Sequence, residues 1–94
     1  MTHMNEKGAV DSIAEHRASI DELDARILAL LNERAEHSLA IRALKPSAKM
    51  GLYDPKREEE IFTRLGEVNE GPMYAQDVRQ IFGTILQVMK ELRS

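Results

Sequence analysis

Three cationic side chains share a helical stripe with aliphatic residues in the first half of the chain. Arg17, Arg34 and Lys45 fall in a row of positions spaced three or four residues apart, which places the row on one face of an α-helix. The other members of the row are Ile13, Ile20, Asp24, Ile27, Leu31, Ser38 and Ile41. A charge taken out of water costs several kcal/mol unless opposite charges or hydrogen bonds compensate it. The row therefore predicts either internal ion pairs or a binding site for an anion.

The spacing along the helix decides which of these cations can share a ligand. Arg34 and Lys45 lie about 16 Å apart along the axis and within about 20° of each other around it, so their side chains can converge on a small dianion. Arg17 lies about 25 Å from Arg34 along the axis and reaches that ligand only from a second, antiparallel copy of the helix. Ion pairs with Asp24, Glu33 and an acidic second helix are the alternative, and the composition does not decide between the two.

The first helix is predicted from a cap at its start and a proline at its end. Ser12 and Glu15 form a capping-box pattern, which predicts that the helix begins at Ser12 after a polar, flexible tail over 1–11. Pro46 disfavours a helical conformation for the residue before it. The helix is therefore expected to run to about Lys45, a length of about 50 Å.

Two shorter helices are predicted in the second half of the chain. Asp54 followed directly by proline is a favourable helix start, and the apolar spacing extends this helix over 55–68. The segment 69–72 interrupts it. A third helix is expected to begin within 73–77 and to end near Arg93.

The unequal helix lengths predict how the chain assembles. The second and third helices measure about 21 and 27 Å, too short to cover a stripe of about 50 Å. A second copy of the long helix is the natural cover. The predicted fold is all-α, with three helices per chain, one of them very long, in an intertwined homodimeric helical bundle. Residues 12–94 are expected to form this helical domain.

The composition excludes several classes of protein. A chain of 94 residues with 43% hydrophobic but only 4% aromatic side chains suits a single helical domain. The absence of Cys excludes disulfides and thiolate chemistry and fits a reducing compartment. The net charge of −3 argues against general nucleic-acid binding. No apolar run approaches the about 20 residues that span a bilayer, and no signal-peptide pattern opens the chain. We expect a cytoplasmic protein.

No metal or cofactor site is predicted. His16 and His37 are about 31 Å apart on the same helix, and His3 lies in the tail, so the histidines cannot share a metal ion. No nucleophile stands beside a base.

The start of the second helix is a second candidate for chemistry. The amides of its first turn favour anions, and Arg57 and Glu58 offer a donor and an acceptor beside them. This pair is suited to a ligand with a carboxylate and a hydroxyl. A capped, charged surface turn is the simpler interpretation of the same residues.

These residues together carry a resemblance to a known family. The pattern consists of Arg17, Ile20, Leu23, Asp24, Ile27, Leu30, Leu31, Arg34, Lys45 and the segment Leu52-Tyr53-Asp54-Pro55 with Arg57 and Glu58. In type and spacing it resembles the all-helical AroQ-class chorismate mutases over 12–93. The segment Asn69-Glu70-Gly71-Pro72, with Ile81 and Phe82 after it, resembles the mutase domains fused to DAHP synthase, the sugar-phosphate-condensing synthase of the shikimate pathway.

The resemblance implies an isomerase that needs no cofactor. Members of the family convert chorismate to prephenate, a Claisen rearrangement within one dianionic molecule, for phenylalanine and tyrosine biosynthesis. Such an enzyme holds a compact conformer of its substrate and stabilises negative charge on the breaking ether oxygen.

Roles for the basic residues follow from the same resemblance. Arg34 and the Arg17 of a second copy would bind the two carboxylates, to which the bidentate, permanently charged guanidinium is suited. Lys45 would donate to a carboxylate and to the ether oxygen. The Asp54 backbone and the Glu58 side chain would receive the ring hydroxyl.

Arg57 would add positive potential to the binding site. Two positions in the third helix depart from the family pattern. When Phe82 is aligned with the phenylalanine of the family, Met89 stands where Ser or another small residue is usual. Arg93 then stands where Gln normally faces the ether oxygen, and it would offer a cation there instead. We expect the activity to be present but weak, and to be raised by a partner such as a DAHP synthase.

Two other functions stay open from the sequence. One is an isochorismate-pyruvate lyase of the same fold, which tolerates a bulky residue at the position of Met89. The other is a non-catalytic helical module for interaction or regulation. The segment 52–58 fits the mutase better than the lyase.

Overall fold

Three α-helices make up the regular structure of the chain in a computed structural model, which describes residues 5–51 and 54–93. They are α1 (Glu6–Leu44), α2 (Pro55–Val68) and α3 (Ala75–Glu91). The described residues include no β-strand. The predicted all-α class, with three helices of which one is very long, is confirmed. The intertwined homodimer stays a prediction.

The first helix begins earlier than its sequence pattern indicated. Asn5 precedes α1, and its side-chain Oδ1 accepts a hydrogen bond of 2.7 Å from the backbone N–H of Gly8. Asparagine is among the best helix N-caps, so the helix starts here and Ser12 lies inside it. The predicted start at Ser12 is wrong. Residues 1–4 of the predicted flexible tail lie outside the described residues, and the division between tail and domain stays a prediction.

The end of α1 is close to the predicted one. The helix ends at Leu44, and a turn over 45–49 follows it. Pro46 lacks a backbone N–H and cannot continue the helical hydrogen bonds. Lys49 closes the turn with a left-handed backbone, φ 58°. Leu52 and Tyr53, which belong to the family-like pattern, lie outside the described residues, as does Ser94.

The second and third helices match the sequence predictions closely. Asp54 caps α2, because its Oδ1 accepts a hydrogen bond of 3.0 Å from the backbone N–H of Arg57. Asn69 ends the helix: its backbone N–H donates to the carbonyl of Leu65, and its side chain ties the connection to α3. Since α3 ends at Glu91, Arg93 lies beyond it, whereas the sequence placed the helix end near Arg93.

The chain separates into two compact units, with the boundary inside α1 after Arg34. The described part of the N-terminal unit, 5–34, consists of Asn5 and the first part of α1, and none of its residues is buried. The C-terminal unit begins at Ala35 and contains α2 and α3. Its core lies on α3, where Val78, Leu86 and Met89 are 7–8% exposed. These three side chains share one face of α3, and α3 packs against α2.

Candidate active site

Lys45 occupies a fixed position directly after α1, in the C-terminal unit. Its backbone N–H donates to the carbonyl of Ile41 at 2.9 Å, which continues the helical pattern by one residue. Its own carbonyl accepts hydrogen bonds from the backbone N–H groups of Ala48 and Met50, at 3.1 and 2.9 Å. The side chain is half-buried. The backbone of Lys45 is therefore held from both sides, although Pro46 follows it.

The start of α2 is a capped turn, as the simpler interpretation of its sequence predicted. Besides the bond from Asp54 Oδ1, the carbonyl of Asp54 accepts the backbone N–H of Glu58 at 3.2 Å. Arg57 points outward: its side chain is 63% exposed, and its Nη1 lies 3.7 Å from Oε2 of Glu60. An ion pair this exposed contributes little to stability. The cap uses Asp54 and the backbone of Arg57 and Glu58, whereas the side chain of Glu58 takes no part in it. The capped turn is therefore compatible with a binding role for Glu58.

Glu58 is less exposed than Glu60 and contacts α3. Its side chain is 26% exposed, and its Oε1 lies 3.1 Å from Nζ of Lys90. Residues near the start of α2 and near the end of α3 meet in this way when two helices joined by a short connection run antiparallel. Lys90 is not among the residues predicted from the sequence. The short connection over 69–74 was the signal that could have found it.

Arg42 is a second residue outside the set predicted from the sequence. Its guanidinium donates hydrogen bonds to the carbonyls of Leu92 at 2.7 Å, Met89 at 2.8 Å and Lys90 at 3.2 Å. The last carbonyls of a helix have no helical partner, and a cation near them is favourable. A signal existed, because Arg42 stands three residues before Lys45 and so shares its side of α1.

The two positions that depart from the family pattern differ in their surroundings. Met89 is 8% exposed and belongs to the core on α3 with Val78 and Leu86. Arg93 follows Leu92, the residue that caps α3, and is exposed. The C-terminal unit therefore uses Met89 for packing, whereas Arg93 lies outside any helix.

The other two predicted cations lie in the N-terminal unit. Arg17 is exposed, and together with Val10, Ile13, Ala14, Ala18 and Asp21 it lines an open depression on α1. Within the described part of the chain, Arg17 forms no ion pair with Asp24 or any other acid. Arg34, the last residue of this unit, is half-buried. The internal ion pairs considered as an alternative are therefore absent at Arg17.

Two kinds of feature are absent from the described residues, namely a membrane-spanning helix and a cluster of metal-binding side chains. Among residues 5–51 and 54–93, no helix has the length and apolar character needed to cross a membrane. In the same ranges, no three His, Asp or Glu side chains lie close enough together to hold a metal ion.

Comparison with known sequences assigns the chain to a family. Residues 16–94 match the profile described as chorismate mutase type II. The chain belongs to this family. The match spans every predicted site residue from Arg17 to Arg93, and it confirms the resemblance to the AroQ-class mutases.

The known proteins that are similar in sequence contain chorismate mutase in their names, in agreement with the family assignment. The bifunctional chorismate mutase/prephenate dehydratase of Neisseria gonorrhoeae is 41% identical over 71 residues, which cover 76% of this chain and 19% of that protein. The bifunctional chorismate mutase/prephenate dehydratase of Aquifex aeolicus is 32% identical over 92 residues, 89% of this chain and 25% of that protein. The chain thus spans about a fifth to a quarter of these relatives. The resemblance to domains fused to DAHP synthase stays a prediction.

A solved structure agrees with the fold. Chorismate mutase (form II) from Thermus thermophilus superposes with a TM-score of 0.83 at 33% sequence identity, over 86% of this chain and 92% of that one. The chain therefore shares its fold with this solved chorismate mutase.

Proposed function

We propose that the chain is a chorismate mutase, an isomerase that rearranges chorismate to prephenate for phenylalanine and tyrosine biosynthesis. The observation that carries the proposal is the family match over 16–94, which includes all the predicted site residues. The C-terminal unit supports it with a fixed Lys45 backbone and an enclosed Glu58 at the start of α2.

The proposed site acts through charge and shape. Arg34 and the Arg17 of a second copy bind the two carboxylates of the substrate and hold its compact conformer. Lys45 donates to a carboxylate and to the ether oxygen, where negative charge builds as the bond breaks. The ring hydroxyl donates to Glu58, whose second oxygen remains for it when Oε1 contacts Lys90. No group of the protein forms a covalent bond with the substrate.

The remaining predicted residues have lesser parts in this proposal. The backbone of Asp54 contacts the ring hydroxyl beside Glu58, and Arg57 contributes long-range positive potential. Arg93 supplies a cation near the ether oxygen. Met89 offers the substrate no polar contact, and its side chain packs in the core on α3.

A homodimer completes this site. The support is α1, which buries none of its residues in the single chain although Ile13, Ile20, Ile27 and Ile41 lie along one stripe. Seven large apolar side chains of the N-terminal unit are 47–62% exposed: Val10, Ile13, Ile20, Leu23, Ile27, Leu28 and Leu30. A patch of this kind marks an interface. An antiparallel second copy covers it and brings its own Arg17 to the site.

We further propose a cytoplasmic enzyme of modest activity that a DAHP synthase raises. A chain without Cys suits the reducing cytoplasm, and Met89 and Arg93 replace the polar contacts usual in the family. Adding the DAHP synthase of the same organism is expected to raise kcat/KM. An unchanged kcat/KM contradicts this part alone.

The decisive experiment is an assay of prephenate formation by the wild type and by Lys45→Ala. Loss of a donor at the oxygen that gains charge is expected to lower kcat about 10²–10³-fold. Lys49→Ala, an exposed lysine in the following turn, is the matched control and is expected to keep the wild-type kcat.

The same assay separates the competing functions. Isochorismate is offered in parallel, and salicylate with pyruvate as products in place of prephenate identifies a lyase. A folded wild type that converts neither substrate is a non-catalytic module, and the proposal then fails.

A further inference from the structure

Two contacts made by residues outside the predicted site connect all three helices of the C-terminal unit. Arg42 reaches from the end of α1 to the last turn of α3, and Lys90 reaches from that turn to Glu58 on α2. Lys90 takes part in both, through its carbonyl and through its side chain. A continuous path of hydrogen bonds and charge therefore runs from α1 to the acid of the proposed site.

The Arg42 contact fixes the backbone around Lys90. One guanidinium nitrogen donates to the carbonyl of Leu92, and the other is shared by the carbonyls of Met89 and Lys90. The planar fork of arginine can hold several acceptors in a set geometry, which a lysine ammonium cannot do. Arg42 is half-buried, so the contact is partly protected from water. The last turn of α3 is thus held against the end of α1.

The Lys90 contact acts on the orientation and the charge of Glu58. With Nζ at 3.1 Å from Oε1, the ammonium favours one orientation of the carboxylate and leaves its Oε2 available as an acceptor. An unpaired carboxylate beside a dianionic substrate would repel it. Lys90 cancels that repulsion and leaves the hydrogen-bonding capacity of Glu58 in place.

We propose that Arg42 and Lys90 are positioning residues for Glu58: Arg42 fixes the last turn of α3, and Lys90 from that turn orients and neutralises the Glu58 carboxylate so that it accepts the ring hydroxyl of a dianionic substrate. The inference rests on the proposed function. It adds two residues that do not touch the substrate. Lys90 contacts Glu58 directly, and Arg42 acts on Glu58 through Lys90.

A second ion pair across the same two helices provides a matched control. Arg79 Nη2 lies 3.1 Å from Oε1 of Glu59, the same distance as in the Lys90–Glu58 pair. This pair is more exposed, at 56% and 68%, and Arg79 also stacks over Phe62 at 4.2 Å from the ring centroid. Arg79 therefore joins α2 to α3 without a link to Glu58.

The first test is a double-mutant cycle between Lys90 and Glu58. Lys90→Met is expected to raise KM for chorismate about 10-fold and to leave kcat nearly unchanged, because the unpaired charge of Glu58 repels ground state and transition state alike. Lys90→Arg is expected to restore KM, and Arg79→Met to leave it unchanged. In a Glu58→Gln background, Lys90→Met should have no further effect on KM. Equal effects in both backgrounds overturn the proposal.

The second test covers Arg42 and does not depend on catalysis. The side-chain carboxyl signal of Glu58 is followed by ¹³C NMR in Lys90→Met, Arg42→Ala, Arg42→Lys and Arg79→Met, each shown to be folded by circular dichroism. The signal is expected to shift in Lys90→Met and Arg42→Ala, to shift less in Arg42→Lys, and to stay in Arg79→Met.

The outcomes of the two tests are distinguishable. If the wild type makes no prephenate, the proposed function fails, and the NMR shifts still decide whether Arg42 and Lys90 position Glu58. If the Glu58 signal is unmoved by Arg42→Ala, or moves equally in Arg79→Met, the positioning role is overturned. An unfolded Arg42→Ala leaves Lys90→Met and Arg42→Lys to decide.

Discussion

The two units of the chain present their charged residues in opposite surroundings. In the C-terminal unit, Glu58 is enclosed by a second helix and paired with Lys90 across an interface that has its own apolar core. In the N-terminal unit, Arg17 stands on a bare helix among exposed aliphatic side chains. One part of the proposed site is assembled by the chain itself. In our proposal, the other part is completed by a second copy of the chain.

The strongest test of this difference between the units is a substitution that prevents the exposed apolar stripe of α1 from packing against a second copy. Ile27→Glu places a carboxylate on the stripe, and a symmetric dimer would bury two of them. Because each costs several kcal/mol without a partner, we expect dimer affinity to fall about 100-fold or more and prephenate formation to be lost. Sedimentation equilibrium and the activity assay measure the two effects.

Ala29→Glu is the matched control for this substitution. It introduces the same side chain about 200° away around the helix, where α1 is expected to face water, and should leave assembly and activity unchanged. A wild type that sediments as a monomer, or an Ile27→Glu variant that dimerises normally, would show that the N-terminal unit is covered in another way.

The next prediction asks which copy provides Arg17. Arg17→Ala and Lys45→Ala are each expected to be nearly inactive as homodimers. When equal amounts are unfolded together and refolded, half of the dimers are mixed, and one of the two sites in each mixed dimer is intact. Activity should therefore recover to about a quarter of the wild-type value. Recovery no greater than the average of the two variants would place Arg17 and Lys45 of one site on the same chain.

Local sequence signals predicted most of the helices. The cap at Asp54 and the break at Asn69 gave α2 its observed limits, and Pro46 gave the end of α1 within one residue. The predicted start of α1 was wrong because the sequence contains two competing capping signals. The Ser12 pattern is the fuller match, but Asn5 also caps well, and the residues between them continue the helix.

The tertiary contacts of the site were less predictable. Arg42 and Lys90 were missed because their roles depend on which turn of α3 lies beside which turn of α1 and α2, and periodicity within one helix does not contain that information. Leu86 is a core residue, and apolar periodicity alone does not distinguish it from its neighbour Ile85. Family resemblance supplied the roles of Arg17, Arg34 and Lys45, which composition alone left undecided.

The core of the C-terminal unit gives the third prediction. Leu86 is 8% exposed, whereas Val88 on the same helix is 48% exposed. Leu86→Ala leaves a cavity and is expected to lower the free energy of unfolding by about 2–5 kcal/mol. Val88→Ala should change it by about 0.5 kcal/mol or less. Urea denaturation measures both, and equal losses would mean that the core is not centred where the single chain places it.

The smallest expected effect separates backbone conformation from packing in the same unit. Gly71, between α2 and α3, has φ 80°, and Gly66 lies inside α2. A Cβ added at either position meets nothing within 4 Å, so packing does not distinguish them. Gly71→Ala forces a side chain into a left-handed backbone and should cost about 1 kcal/mol or more.

Gly66→Ala is the opposite case, because alanine favours the helix by up to about 1 kcal/mol over glycine. The two substitutions should therefore move the urea midpoint in opposite directions. The Asn69 side chain adds to the constraint at Gly71: its Oδ1 accepts the N–H of Gly71 at 3.0 Å, and its Nδ2 donates to the carbonyl of Met73 at 2.8 Å. If Gly71→Ala were neutral, this connection would have to relax without loss. The antiparallel pairing that brings Lys90 to Glu58 would then depend on the core and the Arg42 contact alone.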